Sequence, residues 1–369
     1  MADSDWELCC IGNALVDVFA RSDEETAERF GITRPVQHID IKELKGILAA
    51  LPGFEKVSGG GAANTAKIAG LLGARVCFQG AVSGEESDEF GPFFEKELRA
   101  AGAETRLIRK TSPTGICLML RTGENKTRVA ASPSAALELS ESDISEEDIQ
   151  KAKVVVIDGF ILDRPDLVRR ILRLADEYGT TAAIDLGSEA FARERVLEIL
   201  DYARLHPLIL FMNEREAEEF YGGLHVRGVE VRDLCPPADE EESSPPNFSE
   251  ERRKRGSSFR RICTFFQAIT SGKSFPVIIV KQGPGGAMVF AEGSIYRAKT
   301  REVIPVETTG AGDAFCAAFL TAWVRNKPLR ECADIGNKAA RIILGVPGTQ
   351  VDRKKLKSIA AMMLPDTTR

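Results

Sequence analysis

The 369-residue chain holds only three histidines, no C-x-x-C pair, no surplus of positive charge and no long apolar run. His38, His206 and His225 lie apart from one another and from any cysteine at ligand spacing, which argues against histidine-based metal chemistry. The eight cysteines are scattered, mostly in apolar surroundings where the thiol behaves as a small hydrophobe. A zinc framework or disulfide scaffold is therefore not expected, and a reducing cytoplasm fits. The net charge of −6 gives the molecule no general pull toward nucleic acid or anionic membrane. No apolar stretch approaches the roughly 20 residues of a spanning helix. The opening MADSDWELCC has no basic region followed by an apolar one, so a soluble protein without a leader is the expectation.

What is present reads as α/β. From Lys153 onward, short apolar runs alternate with longer amphipathic ones. KVVVIDG (Lys153–Gly159), TAAIDL (Thr181–Leu186), LILFM (Leu208–Met212) and PVIIVK (Pro276–Lys281) are β-rich and nearly continuous in apolar character. Strands buried on both faces of a parallel sheet look like this. Pro165 near the start of the next segment, with Leu167, Ile171, Leu174 and Tyr178 on one stripe, marks a crossover helix. The pattern predicts a doubly wound, mostly parallel sheet flanked by helices, in a single domain over residues 1–369. ELCCIGN and RVCFQGA read as two more of its strands. Ala14–Arg21, Glu104–Lys110, Gly115–Arg121 and Lys126–Ala131 read instead as a separate small sheet, a lid within about 14–40 and 104–131.

One region departs in composition. Gly222 to about Arg261 is rich in proline, serine and charge, acidic first and basic afterwards, and reads as a disordered, solvated insertion. Its RRKR run has the chemistry to meet a polyanion, but a solvated loop is the simpler reading.

Two glycine-rich stretches carry chemistry. In ETTGAGDAF the glycines free the main chain for close approach by a ligand, and a helix of small and apolar residues follows from Ala314. The N-terminus of such a helix favours an anion. Asp313, at the mouth of that site, is either an N-cap or a general base for a hydroxyl attacking phosphorus. SGGGAANTA, Ser58 to Ala66, repeats the arrangement, with Asn64 able both to donate and to accept. Spacing alone leaves a plain loop-to-helix junction equally open there. SGKS (Ser271–Ser274) is not a P-loop, because Gln267 stands where its first glycine belongs, and no G-x-G-x-x-G exists for a dinucleotide.

Together these stretches resemble the ribokinase family, the PfkB carbohydrate and nucleoside kinases. ETTGAGDAF is similar to the family's C-terminal D-T-x-G-A-G-D signature, and SGGGAANTA to its N-terminal glycine signature. GNALVDVF at the first strand, NEREAE with its N-x-x-E pattern, and VKQGPGGA follow in family order, so the similarity spans nearly the whole chain. GNALVDVF and FMNEREAEEFY look closest to adenosine-kinase-like members.

The resemblance implies a ribokinase-like body with a small β-sheet lid, ATP as phosphate donor, Mg²⁺, and a small-molecule sugar or nucleoside as acceptor. It implies Asp313 as catalytic base and the backbone of Gly310, Ala311 and Gly312 as an anion hole. Asn13, Asp17, Gly60, Gly61 and Asn64 would clamp the acceptor. Asn213, Lys281, Gly283, Gly286, Thr308 and Asn337 would meet the nucleotide, and Asn213 and Glu216 would organise Mg²⁺ through water. The chain would be a monomer or homodimer in the cytoplasm, with neither nucleic acid nor membrane as partner. Three departures stand out. Glu307 replaces the family's leading aspartate, where a monovalent cation such as K⁺ is often held. VSGEESDEFG (Val82–Gly91) is longer than the family's turn, and Gly222–Arg261 has no counterpart. Phe19 and Phe160 are candidate walls for a base, with core packing the simpler role of each. A non-catalytic sensor of the same fold is the alternative, which the intact Asp313, Asn213 and Glu216 set argues against.

Overall fold

The apolar runs do form strands, and each is buried along almost its whole length. The computed structural model describes residues 5–123, 126–227, 250–271, 276–306, 308–345, 351 and 353–363, with the backbone alone at 250–258. In chain order the strands are β1 (Trp6–Ile11), β2 (Leu15–Arg21), β3 (Val36–His38), β4 (Glu55–Gly59) and β5 (Val76–Ser83). There follow β6 (Ala103–Lys110), β7 (Gly115–Arg121), β8 (Thr127–Ser132), β9 (Ala152–Asp158) and β10 (Thr181–Asp185). Last come β11 (Leu208–Asn213), β12 (Val277–Lys281), β13 (Ala287–Ala291) and β14 (Ser294–Ala298).

Nine of them make one sheet in the order β14-β13-β12-β11-β10-β9-β1-β5-β6. Every pairing from β12 to β6 is parallel, and β13 and β14 close one edge antiparallel. Successive side chains of a strand point to opposite faces, and both faces are covered. Leu8, Cys10, Val154 and Val156 join one core, while Cys9, Ile11, Val155 and Ile157 join the other. The first core receives helices Gly61–Leu71 and Ala311–Val324, and the second Pro165–Tyr178 and Val196–Leu205. Pro165 opens its helix as expected, and Gly179, left-handed at φ 69°, ends it. Phe211 on β11 meets the rings of Phe315 and Phe319 edge-on at 6.4 and 5.4 Å, which fixes helix Ala311–Val324 on the sheet. The described cysteines are all free and mostly buried. Among the described residues no helix is long and apolar enough to cross a membrane.

A second sheet runs β3-β8-β7-β2-β4. One face packs Val16, Val18, Leu118 and Leu120 with Leu44, Ile47 and Leu48 of helix Ile41–Ala50. The other carries Leu15, Asp17 and Phe19 beside Leu15's, Asp17's and Phe19's register partners Gly115, Cys117 and Met119.

Three expectations need correction. Glu104–Lys110 does not belong to the lid: β6 pairs parallel with β5 at the edge of the large sheet. Its alternation of buried Ala103 and Thr105 with exposed Glu104 and Arg106 is that of an edge strand, which a lid strand shares. The lid instead gains β4, whose EKVSG sequence is too polar to announce a strand and which forms by pairing with β2. The insertion, finally, is shorter than composition indicates. Residues up to Val226 continue helix Glu214–Val226, and helix Glu250–Ile269 already runs through Arg261. The remainder, 228–249, lies outside the described residues.

Candidate active site

The C-terminal ends of parallel strands are where open α/β sheets place their ligands. Here that edge carries Asp158, the last residue of β9, Asp185, the last of β10, and Lys281, the last of β12. Helix Ala311–Val324 begins above them after Gly310, whose φ is 78°. It starts three residues earlier than the sequence indicates, so Asp313 stands inside its first turn and is not the N-cap. The Asp313 carboxylate accepts instead from Asn64 Nδ2 at 2.8 Å, joining the two glycine-rich turns. Burial pushes the Asp313 carboxyl up to about 7, with the neighbouring Asp185 and Asp158 adding to the shift. Asn64 and Lys281 oppose it. A carboxyl with that pKa is poised to take a proton near neutrality.

Asn64 is thus tied to Asp313, and its main-chain N–H donates to the Gly60 carbonyl at 2.8 Å in the turn that holds other residues expected to clamp an acceptor. Gly60, at φ 100°, turns the chain into helix Gly61–Leu71. A Cβ there would lie 2.1 Å from the Asn13 carbonyl oxygen, so only glycine fits. Asp17 lies against Gly59, where a Cβ would come 2.3 Å from its carboxylate. Burial pushes the Asp17 carboxyl up to about 7 as well, with Lys67 opposing. Its oxygens accept no hydrogen bond from the described residues. Asn13 Oδ1 accepts from Arg164 Nη2 at 2.7 Å, while Arg164 Nη1 holds the carbonyls of Ala136 and Leu139. A guanidinium only donates, so the Asn13 amide nitrogen is left as the group free to donate elsewhere. Phe19 is partly buried on the same lid face as Asp17. Phe160 is 46% exposed, with its edge against Phe191, and so is not core packing.

Of the residues expected to meet the nucleotide, Gly286 and Asn337 lie at the end of β14, and the Gly283 carbonyl accepts from Gly286 N–H at 3.0 Å in the adjoining turn. Asn337 donates from Nδ2 to the Ala298 carbonyl at 2.9 Å, and a Cβ on Gly286 would meet that same oxygen. The Thr308 carbonyl accepts from Ala311 N–H at 3.3 Å in the turn before the helix. Glu307 lies outside the described residues, and the expectation about a monovalent cation with it.

Asn213 and Glu216 form a reciprocal capping box on helix Glu214–Val226, at 2.9 and 2.8 Å. The N-x-x-E pattern therefore has a structural role before any other. One Glu216 oxygen remains outside that box, and burial raises its carboxyl, with Lys281 opposing. Among the described residues no cluster of three His, Cys, Asp or Glu side chains could hold a metal ion directly. A single buried carboxylate fits Mg²⁺ that keeps its waters and is carried in by phosphates.

Sequence reasoning missed Asp158, Asp185, Lys67, Arg164 and Gly59. Two of these left a trace, since KVVVID and TAAID both end a buried strand on an acid at the edge where ligands bind. Arg164 and Lys67 left none, because the Asn13 and Glu97 side chains that they meet come from elements 151 and 30 residues away.

The comparisons with known proteins agree with this architecture. Residues 7–241 and 247–356 match the pfkB family carbohydrate kinase. The chain is 26% identical over 389 residues to adenosine kinase 1 of Arabidopsis thaliana, covering 96% of this chain and 99% of that one. It is 22% identical over 298 residues to the 5-dehydro-2-deoxygluconokinase of Bacillus subtilis, covering 79% and 82%. The crystal structure of adenosine kinase from Sinorhizobium meliloti shares the fold with a TM-score of 0.75 and 24% identity, over 98% of this chain and 100% of that one. The chain belongs to the pfkB family of carbohydrate kinases, and it is a kinase.

Proposed function

We propose that the chain transfers the γ-phosphoryl group of ATP to a primary hydroxyl of a nucleoside or sugar. The observation that carries this is the Asn64–Asp313 hydrogen bond, which sets a half-buried, high-pKa carboxylate between the two glycine turns. In this reading Asp313 takes the proton of the attacking hydroxyl, and the backbone of Gly310, Ala311 and Gly312 faces the phosphoryl oxygens. Asp17 receives two hydroxyls of the acceptor, and orientation of this kind supplies much of the rate. The Asn13 amide nitrogen donates to a further acceptor atom. Gly283, Gly286, Thr308 and Asn337 shape the nucleotide side. Glu216 and Asn213 would hold Mg²⁺ through water, and the ion would supply positive charge to neutralise the phosphates.

A nucleoside ranks ahead of a free sugar. The adenosine kinase relative is 26% identical, against 22% for the 5-dehydro-2-deoxygluconokinase. The partly buried Leu15, Phe19, Cys117 and Met119 also give the Asp17 face an apolar surface suited to a base. ADP release with Mg²⁺·ATP across a panel of nucleosides and sugars tests the reading. Turnover with a nucleoside or sugar bearing a primary hydroxyl is expected. Nucleotide binding by calorimetry with no ADP release for any acceptor would make the chain a sensor instead.

A further inference from the structure

The family resemblance sets Lys281 beside the nucleotide but gives no part to Asp185 or to the ion pair between them. Lys281 Nζ lies 2.7 and 2.9 Å from the two oxygens of Asp185, and the Cys316 thiol donates to Asp185 Oδ2 at 3.1 Å. Of the three N–H bonds of Lys281, two are directed at Asp185. The third faces the Cys316 sulfur at 3.8 Å, a weak acceptor that an anion would readily replace. The ammonium is close to the Gly310–Gly312 turn: a Cβ built on Gly312 would stand 3.3 Å from Nζ. Both side chains retain a little solvent exposure, 15% for Lys281 and 18% for Asp185, so the pair opens toward the strand ends and is not sealed in the core. A pair kept only for stability would have no need of charge, since a packed apolar pair serves a buried position as well or better.

We propose that Lys281 is a catalytic cation that meets the oxygens of the moving phosphoryl group, and that Asp185 is the positioning residue that aims it. This rests on the reading of Asp313 and its turn as the phosphoryl-transfer site. In the step, the acceptor oxygen forms a bond to the γ-phosphorus. The bond from that phosphorus to the β–γ bridging oxygen breaks, and its electron pair leaves with ADP. The acceptor's proton goes to Asp313, and Lys281 transfers none. Its charge is held by Asp185, which lifts the Lys281 pKa against the lowering effect of burial, so the ammonium stays protonated throughout the working pH range. The backbone donors of the turn are dipoles; Lys281 adds a full charge at the point where negative charge shifts during transfer.

The test compares Lys281→Met, Lys281→Gln, Asp185→Asn and the double variant Asp185→Asn/Lys281→Met with the full-length wild type. Lys281→Gln keeps a hydrogen bond to Asp185 and so covers the case in which Lys281→Met does not fold. The lysine variants are expected to lose about 10²–10³ in kcat, the usual worth of one such stabilising group. KM for ATP should move less than about three-fold. ADP with aluminium fluoride, a mimic of the moving phosphoryl group, should lose its extra affinity over ADP alone in those variants. Asp185→Asn should lose kcat less severely, and the double variant no more than Lys281→Met, because the two act as a unit. Unchanged kcat, a loss confined to KM or melting temperature, or additive losses in the double variant would each overturn the proposal. Asp313→Asn run in parallel separates the two ideas. If it alone abolishes turnover, the site reading stands and the role of Lys281 falls. If it leaves turnover intact, the site reading itself has failed.

Discussion

Asp17 is a buried carboxylate and Asp313 a half-buried one, desolvation pushes both up to about 7, and the protein surrounds them in opposite ways. Asp313 sits in the first turn of a helix clamped to the large sheet by Phe211, Phe315 and Phe319, and Asn64 holds its carboxylate at 2.8 Å. Asp17 sits on a strand of the lid, with no donor among the described residues and Lys67 as the cation opposing its burial. Lys67 is itself engaged with Glu97 Oε2 at 2.9 Å and Ser58 Oγ at 3.1 Å. One acid is fixed in direction before any ligand arrives. The other is buried, and in the function proposed above it takes its hydrogen bonds from the acceptor. An acid that moves a proton needs the first arrangement, and an acid that recognises hydroxyls needs the second.

The largest effect expected from this contrast is at Asp313. Asp313→Asn keeps the size and can still accept from Asn64, but it has no basicity, so turnover should fall by about 10²–10⁴. Stability should move the other way. The folded carboxyl titrates near 7 against an ordinary 3.8, so the native state holds its proton more tightly than the unfolded chain does. Its contribution is full below about pH 3.8 and is lost as pH rises through 7. At pH 8 the variant, lacking a partly desolvated charge, should therefore melt no lower than wild type. Early melting of Asp313→Asn at pH 8, with activity lost only in proportion, would make Asp313 a structural residue.

Asp17→Ala should act on binding instead. Loss of hydrogen bonds to a charged group is worth roughly 1.5–3 kcal/mol, so acceptor affinity should drop roughly ten- to hundred-fold. ATP affinity should hold, since Asp17 is on the lid and away from the Gly283, Gly286 and Asn337 cluster. Equal losses of both ligands in calorimetry would erase the distinction between the two carboxylates.

That distinction was half visible in the sequence. Asp313 lies in a turn whose glycines, acid and following helix are contiguous, so its chemistry could be argued from ten residues. The parallel body was legible for the same reason: near-continuous apolar runs in KVVVIDG, TAAIDL, LILFM and PVIIVK reflect burial on both faces, a property of each strand alone. The lid was only partly legible. β4 takes its strand character from pairing with β2, and β6 has the alternation of a lid strand while lying in the other sheet. The state of Asp17 was not legible at all. It depends on Gly59 beneath it, Lys67 on the next helix and Glu97 on another, which only the folded chain brings together. The Asn213–Glu216 spacing shows the converse limit, because a helix cap and a metal shell ask for the same two residue types.

The smallest expected effect is the sharpest test of the contrast, and it lies at Lys67. Lys67 favours the charged form of Asp17 against burial, and it is not among the main causes that shift Asp313. Lys67→Met retains the length of the buried stem and removes the charge, leaving Glu97, about one third exposed, to be solvated. Asp17 should then titrate above about 7, and the unpaired Glu97 carboxylate would push it in the same direction. Acceptor binding needs Asp17 charged, so the acid limb of acceptor affinity should move to higher pH. At pH 9 Asp17 is ionised in both proteins, and their affinities should converge. At pH 7 the loss should stay below about ten-fold, the whole effect of one pKa unit. The acid limb of kcat, set by Asp313 with acceptor bound, should not move. Measured on one preparation, acceptor affinity and kcat against pH give two curves. A common shift of both would mean that the two carboxylates titrate as one system, and the division of labour between lid and helix would be wrong.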